Sequence, residues 1–265
     1  MKDFQTINID IEESVAYLIL SRPKVRNALN LKMIAEITEA FATLNLSDTI
    51  RIIVIKGDGT SFSAGGDLEW MRDVVGQSET EIVSDSRQLV NMYEAINNSP
   101  KIVIAVPHGA AIAGAIGLIA CSDLVITDKS AKFCISEVKV GLTASVVSTY
   151  IIPRIGVGWF RYFAKTGVKF DSRTAQLSGL VNEVETDRKA VEKLLRQRIK
   201  ECLEASPVSV HKTRQLIHEL GYDVTPKKQS IALLSNAKAR SSTEAQEGIK
   251  AFLSKSDPSW KKQNI

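Results

Sequence analysis

The sequence predicts a mixed α/β core followed by a helical C-terminal region, and three observations carry that expectation. Ile50–Lys56 (IRIIVIK) is a near-continuous apolar run, the pattern of a strand in a sheet covered on both faces. Lys101 to Gly141 reads as strand, turn, short buried helix and strand, punctuated by Pro107, Gly109, Gly114 and Gly117. From Asp187 onward only helical periodicity is present. The boundary falls near residue 185, which divides the chain into an α/β core over 1–185 and a helical region over 186–265.

Taken in order, Phe4–Asp10 and Val15–Leu20 read as two short strands joined by the polar Ile11–Ser14 link, a hairpin signal. Ser21–Ala28 is a loop fixed by Pro23. Asn30 can cap a helix whose face carries Leu31, Ile34, Ile37, Phe41 and Leu44. The apolar strand then ends in the turn Gly57–Thr60. Asp67 begins a helix with Leu68, Trp70 and Met71. Ser78 and Glu81 form a capping box for a long helix with Ile82, Leu89, Tyr93 and Ile96 on one face, ending before Pro100. Beyond residue 141, Ala144–Ile152 and Val157–Lys165 read as helices around Pro153 and Gly156. Thr166–Asp171 is extended, Asp171 caps a further helix, and Leu180–Val184 is the last strand.

In the C-terminal region, Val191, Leu194, Leu195, Ile199 and Leu203 mark one helix. Ser206–Pro207 opens a second that closes at Gly221. Ile231–Ala239 is apolar on one side, and Ser241-x-x-Glu244 reads as a capping box for a last helix with Ile249, Phe252 and Leu253. His211 and His218 lie seven apart with no third ligand beside them, so they read as surface or packing histidines and no metal site is expected. The alternating charges around Lys189–Glu201 suit a solvated helix face better than a nucleic-acid surface.

The bulk numbers exclude several classes. A chain of 265 residues with a hydrophobic fraction of 44% and a charged fraction of 24% is ordinary for a globular protein. Net charge is +4, compatible with an anionic small molecule and short of a nucleic-acid signature. Cys121, Cys134 and Cys202 make an odd count without CxxC or metal spacing, which suggests reduced thiols in the cytoplasm. MKDFQTINID has no apolar signal core. The run Ile102–Ile126 is broken by a proline and three glycines, whereas a spanning helix wants about 20 uninterrupted apolar residues.

Two stretches could present bare backbone N–H groups. In SFSAGGDLEWM (Ser61–Met71), Gly65 and Gly66 follow a strand and a turn. The motif is too short for a dinucleotide fingerprint or a phosphate loop, and by itself it is also an ordinary turn and helix start. In HGAAIAGAIG, a helix starting near Gly114 would aim its first unpaired N–H groups at whatever lies in front of it. Close helix packing explains those small residues equally well.

Taken together with Glu137, which stands alone among apolar neighbours, the two glycine stretches resemble the crotonase superfamily, the enoyl-CoA hydratases and isomerases. The resemblance is carried by NALN (Asn27–Asn30), SFSAGGDLEWM, HGAAIAGAIGLIACSDLVI (His108–Ile126), AKFCISEVKVGL (Ala131–Leu142), GLVNEV (Gly179–Val184) and EGIKAFLSKSDPSW (Glu247–Trp260), nearly end to end and in order. FSAGGDLEWM and AKFCISEVKVGL are most similar to hydratases of methylglutaconyl-CoA and related branched acyl-CoAs.

That resemblance implies a spiral of repeated ββα units, with C-terminal helices that form a homotrimer or a dimer of trimers. It implies an acyl-CoA thioester substrate, with CoA part of the substrate and no separate cofactor. It places the oxyanion hole at the N–H groups of Gly66 and Gly114, with Glu137 as acid/base. Lys24, Val25, Arg26, Ala28, Ala64, Gly65, Asp67 and Leu68 fall on substrate-binding positions. The Ala64 carbonyl would meet adenine, and Lys24, Arg26 or Lys255 the CoA phosphates. Phe252 and Lys255 fall where family members reach the CoA of a neighbouring subunit.

Chemically, a thioester enolate puts negative charge on one oxygen, and each preorganised N–H donor in a dry site contributes roughly 3–4 kcal/mol. The apolar setting of Glu137 would raise its pKa toward neutrality. One departure matters. Two-carboxylate hydratases carry a second Glu where this chain has Gly117, and the acid of dienoyl isomerases falls on Ser145. The expected activity is hydration of a 2-enoyl-CoA through Glu137. A 3,2-enoyl-CoA isomerase or a decarboxylase using the single acid is the alternative, and a non-catalytic acyl-CoA- or RNA-binding relative the next. Acyl length and branching depend on loops such as Asp73–Glu81 that no pattern fixes.

Overall fold

The computed structural model describes residues 3–73, 76–220, 225–256 and 258. Strands β1 (Ile7–Glu12) and β2 (Val15–Leu20) form an antiparallel hairpin at one edge of a six-stranded sheet. From there the sheet runs through β3 (Ile52–Gly57) and β4 (Ile102–Ala105), and beyond them lie β6 (Leu124–Asp128) and β9 (Glu183–Glu185); every pairing past the hairpin is parallel. A second sheet sets β5 (Ala110–Ile112) parallel to β7 (Lys132–Cys134), which pairs antiparallel with β8 (Lys169–Asp171).

Period-two alternation decides which layer each central strand residue feeds. Ile53, Ile55, Val103, Ala105 and Val125 pack into the larger core. That core also takes the apolar faces of α1 (Leu31–Leu46), α3 (Glu79–Asn97), α4 (Gly114–Ala120) and α5 (Ser145–Thr166). Ile52, Val54, Ile104 and Ile126 point the other way, under Val191, Leu195 and Ile199 of α7 (Arg188–Leu203). Both faces are covered, as the unbroken run at Ile50–Lys56 predicts.

The predicted caps hold at most ends. The Asn30 side chain accepts from Met33 N, the Ser78–Glu81 box is complete, and Asp171 caps α6 (Ser172–Leu177). Four boundaries move. The first strand begins at Ile7 and runs to Glu12, because its register against β2 ends only at the turn Glu13–Ser14. The last strand is Glu183–Glu185, set by pairing with Ile126–Asp128. The helices around Pro153 join into α5, kinked at Gly156 (φ 72°, ψ 161°). Ser241 closes α9 (Pro226–Arg240), and Ser242 caps α10 (Thr243–Leu253) by accepting from Ala245 N; the Glu244 side chain lies outside the described residues.

From Arg188 on, every described element is helical: α7, α8 (Pro207–Leu220), α9 and α10. Gly221 and Trp260 lie outside the described residues, as does the His218 side chain. α9 packs on α3 and α5, and α10 on the 3-10 turn Glu137–Val140 and on α2 (Leu68–Asp73). Among the described residues no helix is long and apolar enough to cross a membrane. Cys121, Cys134 and Cys202 are free thiols, the first two buried.

Candidate active site

The two glycine stretches lie side by side. Ser63 N donates to Ala110 O and Ile112 N to Ser63 O, so the chain before Gly65 runs parallel to β5. Gly65 has φ 87°, and a Cβ there would stand 2.7 Å from Ile112 O. Only a residue without a side chain permits both the turn and the approach. One residue further, Leu29 clamps the same turn from the other side: its N–H donates to Gly65 O and its carbonyl accepts from Asp67 N. The Leu29 side chain also reaches the second glycine turn, 3.2 Å from where a Cβ on Gly114 would lie.

Gly114 opens α4 behind Ala113, whose backbone (φ 49°, ψ −117°) is costly for a residue with a Cβ, of order 1–3 kcal/mol. The Ala113 N–H donates to Cys134 O, which continues the β5–β7 pairing and holds the strained turn. Among the described residues, neither Gly66 N–H nor Gly114 N–H has a hydrogen-bond acceptor. Two backbone donors are therefore left without protein partners on adjacent bends.

Glu137 follows from the same pairing. Cys134 ends β7 beside Ala113, and three residues later Glu137 starts the 3-10 turn. Its Oε2 is shut away from solvent with no hydrogen-bond partner. Burial pushes its pKa up from the usual carboxylate range to about 7, against a smaller pull from the main chain at Glu137 and Ser136. Such a carboxyl can both take and give a proton near neutrality.

Tyr93 ties the site together. Its hydroxyl donates to Gly114 O at 2.7 Å. Its ring stands where a side chain at position 117 would go: a Cβ on Gly117 would come within 2.5 Å of Cζ. Its own acidity is suppressed first by burial, then by Cys121, Glu137 and Tyr150. The space that a second carboxylate would need is thus filled by an aromatic ring.

The predicted binding loop is braced from within. Arg22 Nη1 donates to Ala28 O and pairs with Asp67 Oδ2 at 2.7 Å, while Asp67 Oδ1 accepts from Glu69 N. The Asp67 carboxylate therefore faces protein. Buried Asn27 bonds Arg22 N, Asp58 O and Ser61 O, and Ala64 N donates to Arg26 O. Val25 and Leu68 are exposed beside this brace, and Lys24 and Arg26 sit on the 3-10 turn Pro23–Val25 and its cap. Phe252, near the end of α10, and Lys255, just beyond it, are exposed.

The sequence singles out the glycines and Glu137 and shows Tyr93 only as a face residue of α3. The missing side chain at Gly117 was a signal for a bulky neighbour, without saying which. Arg22 and Leu29 gave no signal of their own.

Two amides without acceptors on adjacent bends, and an unpartnered acid on the turn that follows β7, suit chemistry that loads charge onto a carbonyl oxygen, and known proteins carry the same arrangement of chain. Residues 10–263 match the family described as enoyl-CoA hydratase/isomerase. A crotonyl-CoA hydratase of Syntrophomonas wolfei is 32% identical over 183 residues, 68% of this chain and 69% of that protein. A trans-2-decenoyl-[acyl-carrier-protein] isomerase of Streptococcus mutans is 26% identical over 97% of this chain and 98% of its own length. Among solved structures, an enoyl-CoA hydratase of Shewanella pealeana superposes with a TM-score of 0.80 at 29% identity, covering 97% of this chain and 96% of that one. Fold and sequence agree over nearly the whole length, and the chain belongs to the enoyl-CoA hydratase/isomerase family of the crotonase superfamily.

Proposed function

We propose that the protein is an enoyl-CoA hydratase. The thioester oxygen is held by Gly66 N–H and Gly114 N–H, and Glu137 handles the proton. Water gives a proton to the Glu137 carboxylate as its oxygen bonds to C3 of the 2-enoyl group. The electron pair moves onto the thioester oxygen, where the two amides stabilise it. Glu137 then returns the proton to C2, so one carboxyl accounts for the whole addition. The observation that carries this reading is the unpartnered, near-neutral Glu137 oxygen, on the turn that follows β7, together with two amides without acceptors on the bends that β5 joins.

A second reading is 3,2-enoyl-CoA isomerisation, favoured by Tyr93 filling the place of a second acid. A 1,3-proton shift needs a single base. The two are separated by substrate: loss of enoyl-thioester absorbance with crotonyl- or methylglutaconyl-CoA supports hydration. Gain of that absorbance from a 3-enoyl-CoA, with no later loss, supports isomerisation. Acyl-CoA binding without turnover of either would defeat both.

In this reading Lys24, Val25, Arg26, Ala28, Ala64 and Leu68 take the CoA moiety, and Asp67 with Arg22 braces the loop. The exposed Phe252 and Lys255 suit contact with CoA held by a second copy, so a trimer or a dimer of trimers belongs to the same proposal. The free thiols fit a reducing compartment such as the cytoplasm.

A further inference from the structure

The peptide that carries the Gly114 N–H is held from both ends. On one side the Ala113 N–H donates to Cys134 O, and the Ala113 carbonyl accepts from Ile116 N at 2.8 Å. On the other, Gly114 O accepts from Tyr93 Oη at 2.7 Å. The first two bonds join main chain to main chain, and the third comes from a side chain on α3. Together they work against a cost, because Ala113 is held at φ 49° and ψ −117° and would relax if released. α4 itself has seven residues, too few to hold its own first turn rigid.

Tyr93 is built as a strut for that turn. Its side chain is fully buried, and its ring packs on Tyr150 of α5 with centroids 5.3 Å apart. A Cβ on Gly114 would lie 3.3 Å from the hydroxyl oxygen, and one on Gly117 would run into the ring. The phenol therefore spans the first turn of α4, hydroxyl against residue 114 and ring against residue 117. Burial, then the neighbouring Cys121 and Glu137, keep the hydroxyl protonated, so it remains a donor over the range in which Glu137 titrates.

We propose that Tyr93 is a positioning residue for the reaction: through Gly114 O it fixes the direction in which the Gly114 N–H meets the thioester oxygen. A donor aimed in advance costs no reorganisation when charge develops, whereas a misplacement of about 1 Å can cost up to about a hundredfold in rate. Tyr93 acts through the main chain and not on the reacting atoms. The role rests on the acyl-CoA reading above, and the test separates the two.

Acetoacetyl-CoA probes the donor without turnover. When it loses a C2 proton to the medium, the electron pair moves onto oxygen to give an enolate that absorbs in the near ultraviolet, and an oxyanion hole favours that form. Bound to the unaltered protein, it should hold more enolate than in water at the same pH. Tyr93→Phe keeps the ring and removes only the O–H. The ratio of enolate to keto form should then fall about tenfold, short of the roughly 10²–10³-fold lost with an oxyanion donor itself. With the enoyl-CoA that the enzyme turns over, kcat should fall by a similar factor while KM stays within about twofold. Ile37→Val, a core change on α1 that lowers stability alone, should move neither. The enolate ratio decides. If it is unchanged in Tyr93→Phe, or falls as far in Ile37→Val, the positioning role is overturned whatever happens to kcat. Enolate no higher on the unaltered protein than in water overturns it as well, together with the oxyanion hole. If no enoyl-CoA is turned over but the ratio falls as expected, the hydratase reading fails and the positioning role stands. Should Tyr93→Phe not fold, Tyr93→Met, which fills the space without a donor, carries the same comparison.

Discussion

Glu36 and Glu137 are the same residue taken out of water in two places, and they end in opposite states. Glu36, on α1, is 8% exposed. Its carboxylate accepts from Thr6 Oγ1 at 2.5 Å, Thr6 N at 2.8 Å and Gln5 N at 3.0 Å, with Lys32 nearby. Burial alone would raise its pKa, but the bonds from Thr6 and Gln5 outweigh that and hold it below the usual range. Glu137 has the burial with hardly any of the bonds, and it sits at about 7. Burial by itself does not mark a functional acid. The difference lies in the partners, since Glu36 has its oxygens bonded and Glu137 leaves Oε2 without one.

The widest separation between the two should appear in turnover. Glu137→Gln keeps shape and removes the ionisable group, and kcat should fall about a thousandfold with acyl-CoA binding retained. Glu36→Gln, assayed the same way, should leave kcat within about twofold, since its partners lie on the segment just before β1 and on α1. Full retained turnover in Glu137→Gln would remove that residue from the mechanism.

Stability should reverse the ranking. Glu36→Ala strands the N–H groups of Gln5 and Thr6 and should cost about 2–4 kcal/mol, read from the shift of a urea midpoint. The Glu36 contribution is complete above its unfolded pKa near 4.5 and is lost as pH falls through its lower folded value. Glu137 has the opposite sign. Its folded pKa is raised, so between about 4.5 and 7 the native state binds more proton than the unfolded chain, and stability falls as pH rises through that window. Glu137→Gln should therefore stabilise the protein at pH 8 by at most about 3 kcal/mol, and much less at pH 4.5. In the active enzyme the same group should make kcat/KM rise with pH, with a midpoint near 7.

The contrast between these glutamates was half legible in the chain. Glu137 stands out because a lone carboxylate in an apolar stretch has no local solvent face. Glu36 could not be read, since its partners lie 30 and 31 residues away, and helical spacing names a face without naming what meets it. The same limit hid Tyr93, whose hydroxyl finds Gly114 across 21 residues. The caps were readable because their bonds close within a turn. Ser242 displaced Ser241 at the last one because the end of α9 claims Ser241. The mixed sheet followed from the apolar run at 50–56, whereas the three-residue strand β5 left too short a pattern to see.

The smallest effect is the most diagnostic of why no second side chain stands at position 117. If the Tyr93 ring is what keeps a second side chain out of the site, Gly117→Ala should destabilise the protein by about 1–3 kcal/mol through overpacking, because its Cβ would press within 2.5 Å of that ring. Tyr93→Leu removes the obstruction and carries a cavity cost of its own. In a double-mutant cycle the two losses should then fail to add, the combined variant being more stable than their sum predicts by at least about 0.5 kcal/mol. Strict additivity would mean that the ring yields freely to a methyl group. The absence of a second acid would then be an accident of sequence, with no steric bar behind it. Tyr93→Phe sharpens the point, since it keeps the ring and removes only the bond to Gly114 O. It should leave the Gly117→Ala penalty unchanged and cost about 1 kcal/mol by itself.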